Sequence, residues 1–252
     1  MQDKPTPFDA GRAWTDAMAL LNGQREILLT ITGFFIMLPA LLLNALRPFV
    51  ASGKSETWMA EIAAWTEANF LWILLVAVLA ALGRLAMLIL LLGPDRPTVG
   101  EALAAGAKLL AMFVIMDVLI GLMLLGGSLL FIVPAFYIFG RTFLAEAGFV
   151  ARRVHGPLAG LTAGFEASRG NGWRLFLMAA IIYVAGVILT AAIGSIVGVI
   201  GALAGGSGLD RFLSAFVDAV CGAGVSLLLV LVGVAAWRQL GEDRNLRRGV
   251  AR

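Results

Sequence analysis

The segment FLWILLVAVLAALGRLAMLILLL, residues 70–92, is uncharged except for a single arginine, Arg84. A helix needs about 20 apolar residues to cross some 30 Å of hydrocarbon, and this run supplies them without a break. The rest of the chain has the same solvent preference. Of its 252 residues 60% are hydrophobic and 14% charged, with a mean hydropathy of +0.94, against about 25% charged in a soluble domain. The expected fold class is an all-α polytopic membrane protein. Ten-residue stretches of alternating polarity are missing, which excludes a membrane β-barrel.

Working outward from 70–92 gives six expected spans, at about 27–46, 70–92, 108–127, 129–150, 173–200 and 212–237. They form one integral membrane domain over residues 1–252, with a basic tail at 238–252. The apolar run from Lys108 to Val150 is too long for one crossing, so Gly126–Gly127–Ser128 is the expected turn, with Pro134 bending the fourth span near its start. RPFVASGKSETWMAEIAAWTEAN, residues 47–69, carries tryptophans at helical spacing and predicts a short helix on the membrane surface. The opening MQDKPTPFDAGRAW is polar for too long to be the basic end of a signal peptide, so the first span is expected to be retained.

Lysine and arginine are held on the cytoplasmic side of a membrane. Both termini placed inside leave only Arg47, Lys54 and Arg211 outside, and this orientation is the expected one. The net charge of +3 is small and no basic tract points to nucleic acid. Cys221 is the only cysteine and His155 the only histidine, so neither a disulfide framework nor a metal centre is expected, and no cofactor is implied. Phosphate-loop, HExxH and nucleophile–base signatures are missing, and the chain is not expected to be an enzyme.

Three stretches share one layout: FDAGRAWTDAMALLNGQREILLTI (8–31), TVGEALAAGAKLLAMFVI (98–115) and GPLAGLTAGFEASRGNGWRLFLMAAI (156–181). Each runs from a small-residue amphipathic stretch through a polar break into a span. Three repeats of an interfacial helix plus a transmembrane hairpin account for this, and so do ordinary juxtamembrane turns rich in Ala and Gly.

The third unit also carries a likeness. Pro134, Tyr137 and Arg141, then Gly156, Pro157 and Leu158, then Ser168 and Trp173, fall in an order that resembles the central motif of the YciC-like bacterial inner-membrane proteins. A similar segment occurs in the membrane domain attached to some glycerophosphodiester phosphodiesterases. The match covers residues 120–180. Ala135 stands where that pattern has a glycine, and Arg153 or His155 where it has an acidic residue. The resemblance implies a six-helix inner-membrane protein without an assigned reaction, and this chain has no soluble enzyme domain to carry phosphodiesterase activity.

Charge at membrane depth is costly and marks function or pairing. Arg84, Asp117 and Arg141 fall in one layer about 12 Å below the cytoplasmic surface at 1.5 Å per residue, with Glu146 closer to the interface. These four residues are the candidate site. Guanidinium forks there would hold an anionic lipid headgroup, or the charges would neutralise one another, or the arginines would snorkel to the interface. Asp218 is expected to pair with Arg211 or cap a helix, with a proton-coupling carboxylate as the other reading. Two function classes follow. One is a protein that handles or transports an anionic lipid or amphiphile. The other is a non-catalytic membrane scaffold or assembly partner of envelope machinery, with a protein partner or a second copy of itself.

Overall fold

A computed structural model describes residues 7–49, 53, 56–93, 97–152, 156–203 and 207–250, with backbone alone at 202–203, 207 and 241–250. The predictions for Lys4, Lys54, Arg96, Arg153 and His155, and for the side chains of the tail beyond Leu240, lie outside what it describes. All regular elements among the described residues are helical.

Asp9 opens α1 (Ala10–Thr32) by accepting the Arg12 backbone N–H at 3.1 Å, which satisfies one of the helix's orphan donors. The backbone leaves helical geometry at Gln24 (φ −140°, ψ 28°), at the polar break of the first unit. A π-helical turn at Gly33–Met37 then leads into α2 (Leu38–Leu46). Pro39 explains that turn. A proline ring clashes with the carbonyl four residues earlier, and a widened turn relieves it.

The surface helix expected after Arg47 is α3 (Trp58–Ala68), anchored by the Trp65 indole N–H, which donates to the Arg47 carbonyl at 3.1 Å. Helix α4 (Phe70–Leu92) coincides with the expected second span, and α5 (Val99–Leu130) begins with a Thr98–Glu101 capping box. The chain then returns through α6 (Ile132–Thr142) and α7 (Ala145–Ala151). It continues into α8 (Pro157–Ala167), α9 (Gly172–Leu203) and α10 (Ser207–Val250).

Five helical stretches are long and apolar enough to cross a membrane: Ala10–Leu46, Phe70–Leu92, Val99–Leu130, Gly172–Gly201 and Gly208–Leu240. The fourth expected span differs. Residues 129–150 do not form one helix, because the chain breaks at Phe143–Leu144 into pieces of 11 and 7 residues. Its turn also lies later than expected. Gly127 is helical within α5, and the reversal falls at Phe131, whose backbone is extended (φ −169°, ψ 156°). Gly127 serves close packing instead: a Cβ there would lie 2.8 Å from Ile138 Cδ1 and 3.1 Å from Ala135 Cα. Pro134 sits in the first turn of α6, where its missing N–H costs no hydrogen bond. The second unit lacks the break seen in the first, since α5 runs unbroken from Val99.

One end of the bundle gathers the start of α1, the end of α4, the α8–α9 turn and the Trp237 region of α10. There the Phe8 backbone N–H donates to Asn171 Oδ1 at 2.8 Å, and Arg174 donates to the Phe8 carbonyl at 3.2 Å. Arg238 donates to the Leu91 carbonyl at 2.5 Å, covering an unpaired acceptor at the end of α4. Trp14, Trp173 and Trp237 lie toward this end, and Trp58, Trp65 and Trp72 toward the other. The six tryptophans thus fall into two groups, the pattern of aromatic belts at two headgroup layers.

Small residues let α6, α7, α8 and α9 meet at backbone distance. A Cβ on Gly140 would lie 2.0 Å from the Gly172 carbonyl oxygen, and one on Gly164 would lie 2.7 Å from Ala145 Cα. Gly121 on α5 has open space around it. Gly140→Ala and Gly164→Ala are therefore expected to destabilise the solubilised protein by about 1–3 kcal/mol each through overpacking. Gly121→Ala should leave thermal unfolding unchanged, and a Gly140→Ala protein melting like wild type would show that the α6–α9 contact yields.

Candidate functional site

Arg84 projects from α4 into the space between α5 and α7. One amino group donates to Asp117 Oδ2 at 2.5 Å, the other donates to Glu146 Oε1, and the guanidinium carbon lies 5.6 Å from the centre of the Phe113 ring. Each element supplies its group for a local reason. Asp117 is one helical turn beyond Phe113 on α5, so acid and ring share a face. Glu146 falls in the first turn of α7, and the break at Phe143–Leu144 aims that turn at α4. In an unbroken helix Arg141 and Glu146, five residues apart, would point about 140° from each other at 3.6 residues per turn.

The cluster thus joins three of the four residues expected to form the site, and Arg141 lies outside it. Two half-buried carboxylates here face one arginine, and charges withdrawn from water need such partners. A cavity of about 200 Å³ adjoins the cluster, with Arg84, Thr142, Glu146 and Ser226 as its polar lining among apolar side chains from α4, α5, α6, α7 and α10. Thr142 and Ser226 carried no sequence signal beyond a hydroxyl within an apolar run. Phe113 did carry one, in its spacing from Asp117.

Arg141 stands in the last turn of α6. Its guanidinium carbon lies 5.3 Å from the Phe165 ring centre, and no carboxylate pairs with it among the described residues. The buried Ser168 hydroxyl lies between two acceptors for its one hydrogen, the Arg141 carbonyl at 2.9 Å and the Gly164 carbonyl at 2.8 Å. The Arg141 side chain runs beside Gly172, and the Tyr137 and Trp173 rings lie 6.4 Å apart alongside it. Gly170 makes this turn possible with φ 79°, a conformation glycine adopts at little cost. Of the motif residues singled out from sequence, Tyr137, Arg141, Ser168 and Trp173 therefore converge. Gly156 and Pro157 instead start α8, with the proline in its first turn.

Asp218 makes neither of its expected contacts. It is exposed on α10, pairs with no described residue, and lines a cavity of about 740 Å³ between α9 and α10 with Thr190, Ser214 and Cys221. Among the described residues, no three His, Cys, Asp or Glu side chains converge as a metal-binding group. No protein-family model, curated protein or solved structure matches the chain.

Removing one member of the triad should expose its dependence on balance. Arg84→Gln leaves two half-buried carboxylates without their cation and is expected to destabilise the protein, by less than the roughly 3–5 kcal/mol of a fully buried broken pair. Adding Asp117→Asn and Glu146→Gln to that variant should recover most of the loss. Thermal unfolding of the three proteins checks this, and an additive triple variant would show that the cluster does not act as a unit.

Proposed function

We propose that the chain handles an anionic lipid or amphiphile at the cytoplasmic leaflet of a bacterial inner membrane, with Arg141 as the headgroup contact. The carrying observation is an arginine without a carboxylate partner, held by its backbone at the end of the bundle beside Tyr137 and Trp173. Arginine forks match phosphate and carboxylate geometry, and tyrosine and tryptophan are favoured at headgroup depth. Arg169 and Arg174, on the same α8–α9 turn, add positive potential there.

In this reading α6 and α7 together make a broken fourth crossing, which gives six crossings and puts both termini in the cytoplasm. The shared end of Phe8, Leu91, Asn171 and Arg238 supports that count. Kinship with the YciC-like proteins belongs to the same proposal, as does the absence of catalysis. The cavity beside the Arg84 cluster, largely apolar with four polar residues in its lining, gives a lipid-handling protein a place for a small group within the bundle. The alternative is a membrane scaffold docked to a protein partner or to a second copy. The satisfied Arg84 triad favours it, since that triad holds the bundle without any guest.

Native mass spectrometry of the detergent-extracted protein tests the reading. Wild type should retain anionic phospholipid, and Arg141→Gln, with Arg84 intact, should retain about tenfold less while unfolding at the same temperature, since one lost charge-assisted contact is worth about 1.4 kcal/mol or more. Equal retention by both would favour the scaffold.

A further inference from the structure

At the opposite end of the bundle, α2 and α4 flank a groove. The π-helical turn at Gly33–Met37 touches α4 at Gly83, where a Cβ would lie 2.7 Å from Phe35 Cβ. Beyond that contact, residues of α2 and α4 as far as Arg47 and Trp72 line one space. The space between them is an apolar groove of about 690 Å³, walled by residues such as Leu42, Leu43, Leu75 and Leu79. That volume lies within the range of about 300–1,000 Å³ usual for small-molecule sites.

The groove has one charged lining residue, Arg47, at the C-terminal end of α2. Arg47 is exposed, pairs with no carboxylate among the described residues, and has its backbone pinned by the Trp65 indole. A slot that is apolar along its length and cationic at one end is complementary to a molecule with a hydrocarbon chain and an anionic head. Trp58, Trp65 and Trp72 place that end at a headgroup layer. A neutral lipid would fill the slot equally well but would leave the guanidinium without an anion, so the arginine decides between lipids.

We infer that the α2–α4 groove is a binding site for one anionic phospholipid of the leaflet opposite Arg141, with an acyl chain between the helices and the phosphate on Arg47. The site requires only that the chain spans a membrane and is independent of the Arg141 reading.

The test is native mass spectrometry of the full-length protein extracted from vesicles of mixed phosphatidylglycerol and phosphatidylcholine. Arg47→Gln removes the anion contact and leaves the slot. Leu75→Trp fills the slot and leaves the arginine. Both positions are exposed, so neither substitution disturbs the core. Wild type should prefer phosphatidylglycerol, Arg47→Gln should weaken that preference about tenfold, and Leu75→Trp should lose one bound lipid. The lipid that depends on Arg141 should persist in both variants. Groove variants that behave in this way beside an Arg141→Gln protein that retains lipid like wild type would refute the inner-leaflet reading and uphold this one. Equal retention of the two lipids by wild type, or binding unaltered in both groove variants, would overturn it.

Discussion

The arrangement rests on one guanidinium that must be neutralised inside an apolar bundle. Arg84 draws Asp117 from α5 and Glu146 from α7 onto α4, and moving any of the three charges out of water without the others is costly. This requirement reaches beyond the three residues. Glu146 faces α4 only because the return from α5 is broken at Phe143–Leu144, and that break in turn allows α7 to lie against α8 through the Gly164–Ala145 contact. The electrostatic demand and the small-residue packing are thus met by the same departure from a straight helix.

The same departure separates two arginines that looked alike. Arg84 has its charge met by two carboxylates and its guanidinium over the Phe113 ring, so it behaves as a structural ion within the bundle. Arg141 lies past the end of that network, over Phe165, with its backbone held by Ser168. An arginine whose position is fixed while its charge is unmatched has already lost much of the conformational freedom that anion binding would otherwise remove. The triad supplies rigidity, and the turn between α8 and α9 supplies the available charge.

How much of this could be read from the chain differs by element. The stretch 70–92 became α4 residue for residue because an apolar run of this length without proline leaves the bilayer as its suitable solvent. Residues 108–150 were harder. Gly126–Gly127–Ser128 has turn composition, yet Gly127 is needed for contact with α6, and glycine serves both purposes with the same signature. The triad was partly legible, since depth along each helix placed Arg84 and Asp117 in one layer. Exclusion of Arg141 was not, because it depends on the azimuth after a break whose residues, Phe143 and Leu144, have no breaker character. Asp218 fared similarly: sequence proximity suggested Arg211, seven residues away on the same helix, but seven residues span about 10 Å along the axis and side chains that far apart do not meet.

Arg47 and Arg141 make the two ends of the molecule comparable. Each is an arginine at the end of a helix (α2 and α6), each has its backbone carbonyl engaged by a distant side chain (Trp65 and Ser168), and each lacks a carboxylate partner among the described residues. They differ in what lies behind the charge. Behind Arg141 stand packed glycines and the α8–α9 turn, so an anion there is met at its head and its hydrocarbon remains in the bilayer. Behind Arg47 lies the apolar groove between α2 and α4, which would receive the hydrocarbon itself. A lipid would therefore be recognised by its head at one leaflet and by head and chain at the other. That asymmetry lies in the groove that Phe35, Pro39 and the leucines of α2 and α4 wall beside Arg47.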